Sequence, residues 1–343
     1  MFQSRLPSSS PSPSLLSNTW PAFHAAARCI SGGPVYITDE PGTHDLSLIH
    51  QITAVSPRDG RTVVLRPSRV GRALEGYTSY RRDDGRSPSP WKGETLKIGA
   101  YHGRAEQGAG IVGVFNLDDD EEGDARVVQV LPLGMFPGVV AERGRRYVIR
   151  SHVSGKVTAP VEVGGAGSWV VVSTPGRGGY DVLSAFPVTE VRPPKRMRGD
   201  GGGGEGEVRL ANLGLVGKMT GCAAVMNTVW KVLENGRMLV DVTLKALGVL
   251  GELGLFALPF SKEKEMLTRP TGIYISTLPE LSIEDDFMVT ILGQPIPAHT
   301  VSVNKEDKHV LNVDIETAWK EMGLKSGWAN EVEVKVYFPL ERK

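Results

Sequence analysis

His24-Ala25-Ala26-Ala27-Arg28-Cys29-Ile30-Ser31-Gly32-Gly33-Pro34-Val35-Tyr36-Ile37-Thr38-Asp39 is the stretch on which the reading of the fold turns. The alanines favour helix, Ser31-Gly32-Gly33-Pro34 stops it, and Val35 to Thr38 is a short apolar β run. The order is helix, tight turn, strand. Phe23, Ala26, Ala27 and Ile30 share one helical face, which suits packing on a sheet. Before the helix, residues 5–21 are rich in Ser and Pro and are expected to form a loop. After the strand, Asp45 can cap a second helix, from about Leu46 to Ala54, with Leu48, Ile49 and Ile52 facing inward.

From Arg61 onward the pattern changes period. Thr62–Leu65, Leu96–Tyr101, Ile111–Asn116, Val127–Leu131, Tyr147–Arg150, Trp169–Ser173 and Tyr180–Leu183 are short apolar runs bounded by Gly, Pro or charged turns. Val191 to Glu207 is basic and then glycine-rich, a flexible connection. Strand patterns resume at Val208–Leu213, Ala223–Trp230, Met238–Leu244, Gly272–Ile275, Phe287–Leu292 and Glu331–Phe338, so the connection interrupts one sheet domain. Asp314 to Gly323 carries a capping Asp and a terminal Gly, a short helix before the last strand. Many short strands with few helices argue for an antiparallel β-sandwich.

Composition narrows the function classes. Lys plus Arg and Asp plus Glu both number 39, so no net field favours nucleic acid or an anionic membrane. Cys29 and Cys222 are the only cysteines, too few for a disulfide framework or a zinc set. No run of about 18 apolar residues exists, and no secretory signal is evident, so a soluble cytoplasmic protein is expected. The first 38 residues lack Asp and Glu, which imitates a transit peptide, but the helix-turn-strand unit overlaps them. No cofactor is expected. Leu213 to Thr220 imitates a phosphate loop, yet Met219 stands where a hydroxyl should follow Lys218. Gly176 to Gly179 reads as a turn, the acidic run Asp118–Asp124 as a hairpin tip, and Lys195–Arg198 as solvated charge.

A helix-turn-strand order is how α/β barrels alternate, and Thr38-Asp39, at the strand's C-terminal end, is where such barrels place polar site residues. Together with Met1-Phe2-Gln3-Ser4 and Glu40-Pro41-Gly42-Thr43-His44-Asp45, Ser31 to Asp45 resembles the end of the catalytic barrel in the raffinose synthase and seed imbibition protein branch of glycoside hydrolase family 36. Weaker resemblance extends to Gly214–Gly221 and Ile283–Val289. The resemblance implies residues 1–57 as a remnant of a (β/α)8 barrel, its last helix and strand, and residues 58–343 as a β-sandwich. Relative to that family, 5–21 and 252–271 look like insertions, and read-through of an intron would explain both.

Glycoside hydrolysis needs two carboxylates flanking the scissile bond. In the resembled family both lie upstream of the M-F-Q segment, so no catalytic residue carries over and the chain alone is expected to be inactive. The family's partner is an α-galactosyl oligosaccharide. Rim candidates are Phe2, Gln3, Ser31, Gly32, Gly33, Asp39 and His44. Asp39 either faces a pocket or braces the loop Glu40–Asp45, and His44 serves either a structural hydrogen bond or the site. Gly32 and Gly33 equally suit a turn that needs positive φ. No metal set emerges. The other class is a non-catalytic sandwich that binds carbohydrate or protein; Trp91, Trp169 and Trp230 are expected in core or turns rather than on an exposed platform.

Overall fold

The computed structural model describes residues 2–4, 19–75, 95–104, 107–117, 126–165, 167–176, 178–192, 207–247, 271–325 and 331–340. Up to Pro187 the elements are α1 (Thr19–Ser31), α2 (Leu46–Ile52), β1 (Thr53–Val55), β2 (Thr62–Val64), β3 (Arg69–Ala73), β4 (Thr95–His102), β5 (Ala109–Asn116), β6 (Val127–Pro132), β7 (Arg146–Ser151), β8 (Val161–Glu162), β9 (Trp169–Thr174) and β10 (Tyr180–Pro187). Then follow β11 (Thr189–Val191), β12 (Val208–Leu215), β13 (Val225–Val232), β14 (Arg237–Leu244), β15 (Thr271–Ile275), α3 (Ile283–Asp286), β16 (Met288–Ile291), β17 (Gln294–Pro295), β18 (Val301–Val303), β19 (Val310–Val313), α4 (Ile315–Glu321) and β20 (Val332–Pro339). The molecule is mostly β, as the change of period after Arg61 predicts. Most of the linker 191–207, most of the segment 252–271, Asp118–Asp124, Lys195–Arg198 and Trp91 lie outside the described residues. Among the described residues no helix is long and apolar enough to cross a membrane.

The chain divides into two compact units, Met1–Ile52 with Val64–Pro187 and Thr53–Val63 with Val188–Lys343. The first is built on an antiparallel sheet of order β3-β4-β5-β10-β7-β8. All eight residues of β5 are buried, so this central strand is covered on both faces. Helix α1 lies across β3, β4, β5 and β10. Its Phe23 ring meets Phe115 edge-on with centroids 5.0 Å apart, and Ala25, Ala26, Cys29 and Ile30 are fully buried. The opposite face packs on the two-stranded ribbon β6-β9: Val112 and Val114 join Leu131, Val170, Val172, Leu183 and Ala185 in one core. Alternate residues of β5 therefore serve opposite layers, as a strand's two-residue period requires.

Two sequence expectations need correction. Helix α1 begins at Thr19 and includes Trp20 and Pro21, the end of the segment 5–21 expected to be a loop. Proline is tolerated there because the first turn's N–H groups have no partner within the helix. The strand expected at Val35–Thr38 is a single parallel bridge between Ile37 and Phe2. β propensity favours the extended backbone, but a strand also needs a neighbour along its length, and the bridge reaches only Phe2.

The second unit contains two five-stranded antiparallel sheets, of order β11-β12-β15-β19-β18 and β13-β14-β20-β16-β17. Strand β20 alternates buried and half-buried along its whole length, the pattern of a sheet with one face in a core. This arrangement is consistent with a β-sandwich. Lys218 is completely buried and its Nζ donates to the Thr53 carbonyl, so the phosphate-loop imitation serves packing. Helix α4 is capped by Asp314, which accepts from the Thr317 N–H at 3.0 Å. It buries Glu316, whose carboxyl is pushed up to about 7, first by burial, against the pull of Lys320 at 3.1 Å and of Lys218.

A Cβ on Gly71 of β3 would lie 2.7 Å from the Ile30 carbonyl oxygen, and backbone cannot yield as a side-chain end can. Gly71→Ala is expected to cost roughly 1–3 kcal/mol by denaturant unfolding. For Glu316 the folded proton affinity exceeds the ordinary value of 4.5, so its contribution to stability is complete below about 4.5 and is lost as pH rises to about 7. Glu316→Gln should flatten the decline of unfolding free energy across that window by up to ~3 kcal/mol.

Candidate functional site

The helix-turn-extended stretch places its polar end against the chain's first described residues. Phe2 N–H donates to the Tyr36 carbonyl and Thr38 N–H to the Phe2 carbonyl, both at 3.0 Å. This holds residues 2–4 beside 36–39 in parallel. Phe2 itself is buried, and Gln3 is exposed.

Asp39 organises what lies beyond the bridge. Its side chain is 1% exposed. One carboxylate oxygen accepts the Ser4 N–H at 2.7 Å, and the other accepts the Ser4 hydroxyl and contacts His44 Nδ1 at 3.1 Å. Ser4 Oγ in turn accepts the Asp45 N–H at 2.8 Å. Asp45 caps α2, its Oδ1 accepting the Leu48 N–H at 3.1 Å. Between Asp39 and Asp45 the chain turns on Gly42, at φ +85, with the Thr43 N–H and hydroxyl both bonded to the Glu40 carbonyl. A run of hydrogen bonds thus ties the bridged pair to the start of α2.

Ser31, Gly32 and Gly33 do other work, ending α1. Gly32 takes φ +71, the left-handed residue that follows a helix, and the Ser31 hydroxyl bonds back to the Arg28 carbonyl at 2.9 Å. Of the sequence candidates, Asp39 and His44 are joined by a bond, and Phe2 is bonded to Tyr36 and Thr38 just before them. Ser4, absent from the candidates, joins them: its partner lies 35 residues away, and nothing local in the sequence marks it.

The chemistry of the cluster is restricted by who bonds whom. Ser4, Asp39 and His44 are the residue types of a hydrolytic triad, but His44 and the Ser4 hydroxyl address the same Asp39 oxygen. The imidazole is not placed as a base on the hydroxyl, and the hydroxyl's lone pair already receives Asp45 N–H. Asp39 is engaged by Ser4 and His44, and its burial keeps it from a solvent-borne substrate. Among the described residues no group of three or more His, Cys, Asp or Glu could hold a metal ion.

Comparison with known proteins places the matching segment here. Residues 15–75 match the family described as raffinose synthase or seed imbibition protein Sip1. A galactinol–sucrose galactosyltransferase of Oryza sativa subsp. japonica is 55% identical over 31 residues, 9% of this chain and 4% of that protein. The chain is raffinose synthase-like over this short stretch, and it covers only a small part of the length of the curated relative it matches.

If Asp39 is the brace its bonds indicate, Asp39→Ala leaves two Ser4 donors to find new partners, at a cost of about 1–3 kcal/mol. The Thr38 amide should then exchange with solvent markedly faster, while the Val112 amide in β5 keeps its protection. Unchanged exchange at Thr38 would show that the brace is dispensable.

Proposed function

We propose that this chain corresponds to the closing part of an α-galactoside-acting enzyme of the raffinose synthase type, with residues 1 to about 57 derived from the last helix and strand of a (β/α)8 catalytic barrel and the β-rich remainder following it. The observation that carries the proposal is the parallel bridge of Phe2 with Ile37, within a molecule whose large sheets are antiparallel. Adjacent barrel strands are parallel, and the bridged segment falls inside the stretch that matches the family. Exposure supports the same origin: Tyr36 is 60% and Ile37 36% exposed, although apolar residues of a barrel strand are ordinarily covered on both faces.

Moving a galactosyl group, to water or to another sugar, takes a nucleophile or base and an acid. We assign neither role to Asp39, because its oxygens are occupied by Ser4 and His44. Its role is to fix the loop Glu40–Asp45 at the rim of the site. Gln3, exposed beside it, is the rim side chain best placed to meet a sugar hydroxyl. On this proposal the 343-residue polypeptide does not itself turn over galactosides. The purified chain, incubated with an aryl α-galactoside and with raffinose, is expected to release no product above a blank. Turnover that disappears in Asp39→Asn would overturn both the assignment of Asp39 and the proposed inactivity.

A further inference from the structure

The ribbon β6-β9 turns an apolar surface outward. Along β6 the outward residues are Val128, Val130 and Pro132; along β9 they are Trp169, Val171 and Ser173. Register sets them side by side, Val130 opposite Val171, Pro132 opposite Trp169 and Val128 opposite Ser173. Val128, Val130, Trp169 and Val171 are 50–60% exposed. The expectation that Trp169 belongs to core or turn is thereby corrected: Val170 and Val172 take the inward positions, and the two-residue period sends Trp169 out.

Among the described residues β9 pairs with β6 alone. Against β9 lies a cleft of about 420 Å³, lined by the outward Val171 and Ser173, by Val170 and Leu183, and by Ser151, Ser154, Lys156 and Thr158. The wall is held in place from beneath. Asp181 accepts the Ser151 hydroxyl at 2.6 Å and the Val153 N–H at 3.1 Å, and Ser151 Oγ accepts the Ser154 N–H at 3.1 Å. Thr158 Oγ1 accepts the Ile149 N–H, which leaves its hydroxyl proton directed to another acceptor.

We infer that β9, with Trp169 on its outer face and the hydroxyl-bearing cleft beside it, is a binding surface for a neutral oligosaccharide. A pyranose ring offers an apolar C–H face and a rim of hydroxyls. An exposed indole beside valines matches the first, and Thr158, Ser154 and Lys156 match the second. The six outward residues carry no charge, and the cleft is lined by Arg126, Lys156 and Asp181 as well as by hydroxyls. Size selects against a second copy of the chain: four half-exposed side chains offer a few hundred Å², whereas a stable interface takes about 800 Å² from each partner. The inference requires no carboxylate pair and stands apart from the proposed galactoside chemistry, because it concerns binding and not turnover.

The test is titration of the full 343-residue chain with stachyose and, separately, with maltohexaose, followed by calorimetry and tryptophan fluorescence. Saturable binding of at least one is expected, weakened at least about tenfold by Trp169→Ala. Val171→Thr, which keeps a β-branched residue in the strand, should weaken it in the same direction. Met288→Ala, at a half-exposed apolar residue of the other unit, should leave it unchanged. Circular dichroism and thermal unfolding of the Trp169 variant establish that it folds. Three outcomes would each overturn the inference: no saturable binding of either sugar, binding indifferent to Trp169→Ala in a folded variant, or sedimentation showing a dimer that Trp169→Ala dissociates.

Discussion

The first unit depends on how closely α1 approaches the sheet. Ile30 sits over Gly113 of β5, where an added Cβ would lie 2.4 Å from Ile30 Cδ1, and the Ile30 carbonyl lies over Gly71 of β3. Phe23 meets Phe115 two residues further along the same strand. These contacts cover one face of a strand whose other face is already taken by Val112 and Val114 against the ribbon. Glycine at the two crossing points is what lets a helix and a sheet share the space, since close-packed interiors leave little room for even one methyl group.

Everything polar in the candidate site is anchored from that platform. Helix α1 ends at Gly32, the chain runs extended past Phe2, and Asp39 fastens Ser4, His44 and, through Ser4, the cap of α2. Burying a carboxylate is costly unless donors surround it, and Ser4 supplies two of them. The arrangement also determines what Asp39 cannot do. A carboxylate that holds a loop by its two oxygens has little capacity left to attack a sugar carbon or to protonate a leaving group.

How much of this was legible depended on whether the signal was local. Strand β9 is a continuous run of β-favouring residues, Trp169-Val170-Val171-Val172, and Asp314 caps α4 three residues before its partner, so both are legible in a short window. Gly32 as the stop of α1 was visible for the same reason. The run Val35–Thr38 is legible as extended from its β propensity, but its neighbour is not a local property, and among the described residues it bridges to Phe2 alone. Ser4 depended on a contact across 35 residues, and Trp169 on which face of β9 the core would claim.

The two apolar surfaces on this unit differ in the kind of contact each invites. At Tyr36 and Ile37 the backbone is extended and bridged to Phe2, so what suits that segment is a further strand adding to a parallel edge. On β6-β9 the six-residue ladder already joins the two strands, and the exposed apolar groups are side chains projecting from a fixed register. A ligand there meets side-chain faces, and the cleft beside β9 adds hydroxyls, among them that of Ser151, which Asp181 fixes. Preorganisation of that kind lowers the entropy lost on binding, which matters most for a small ligand with few contacts.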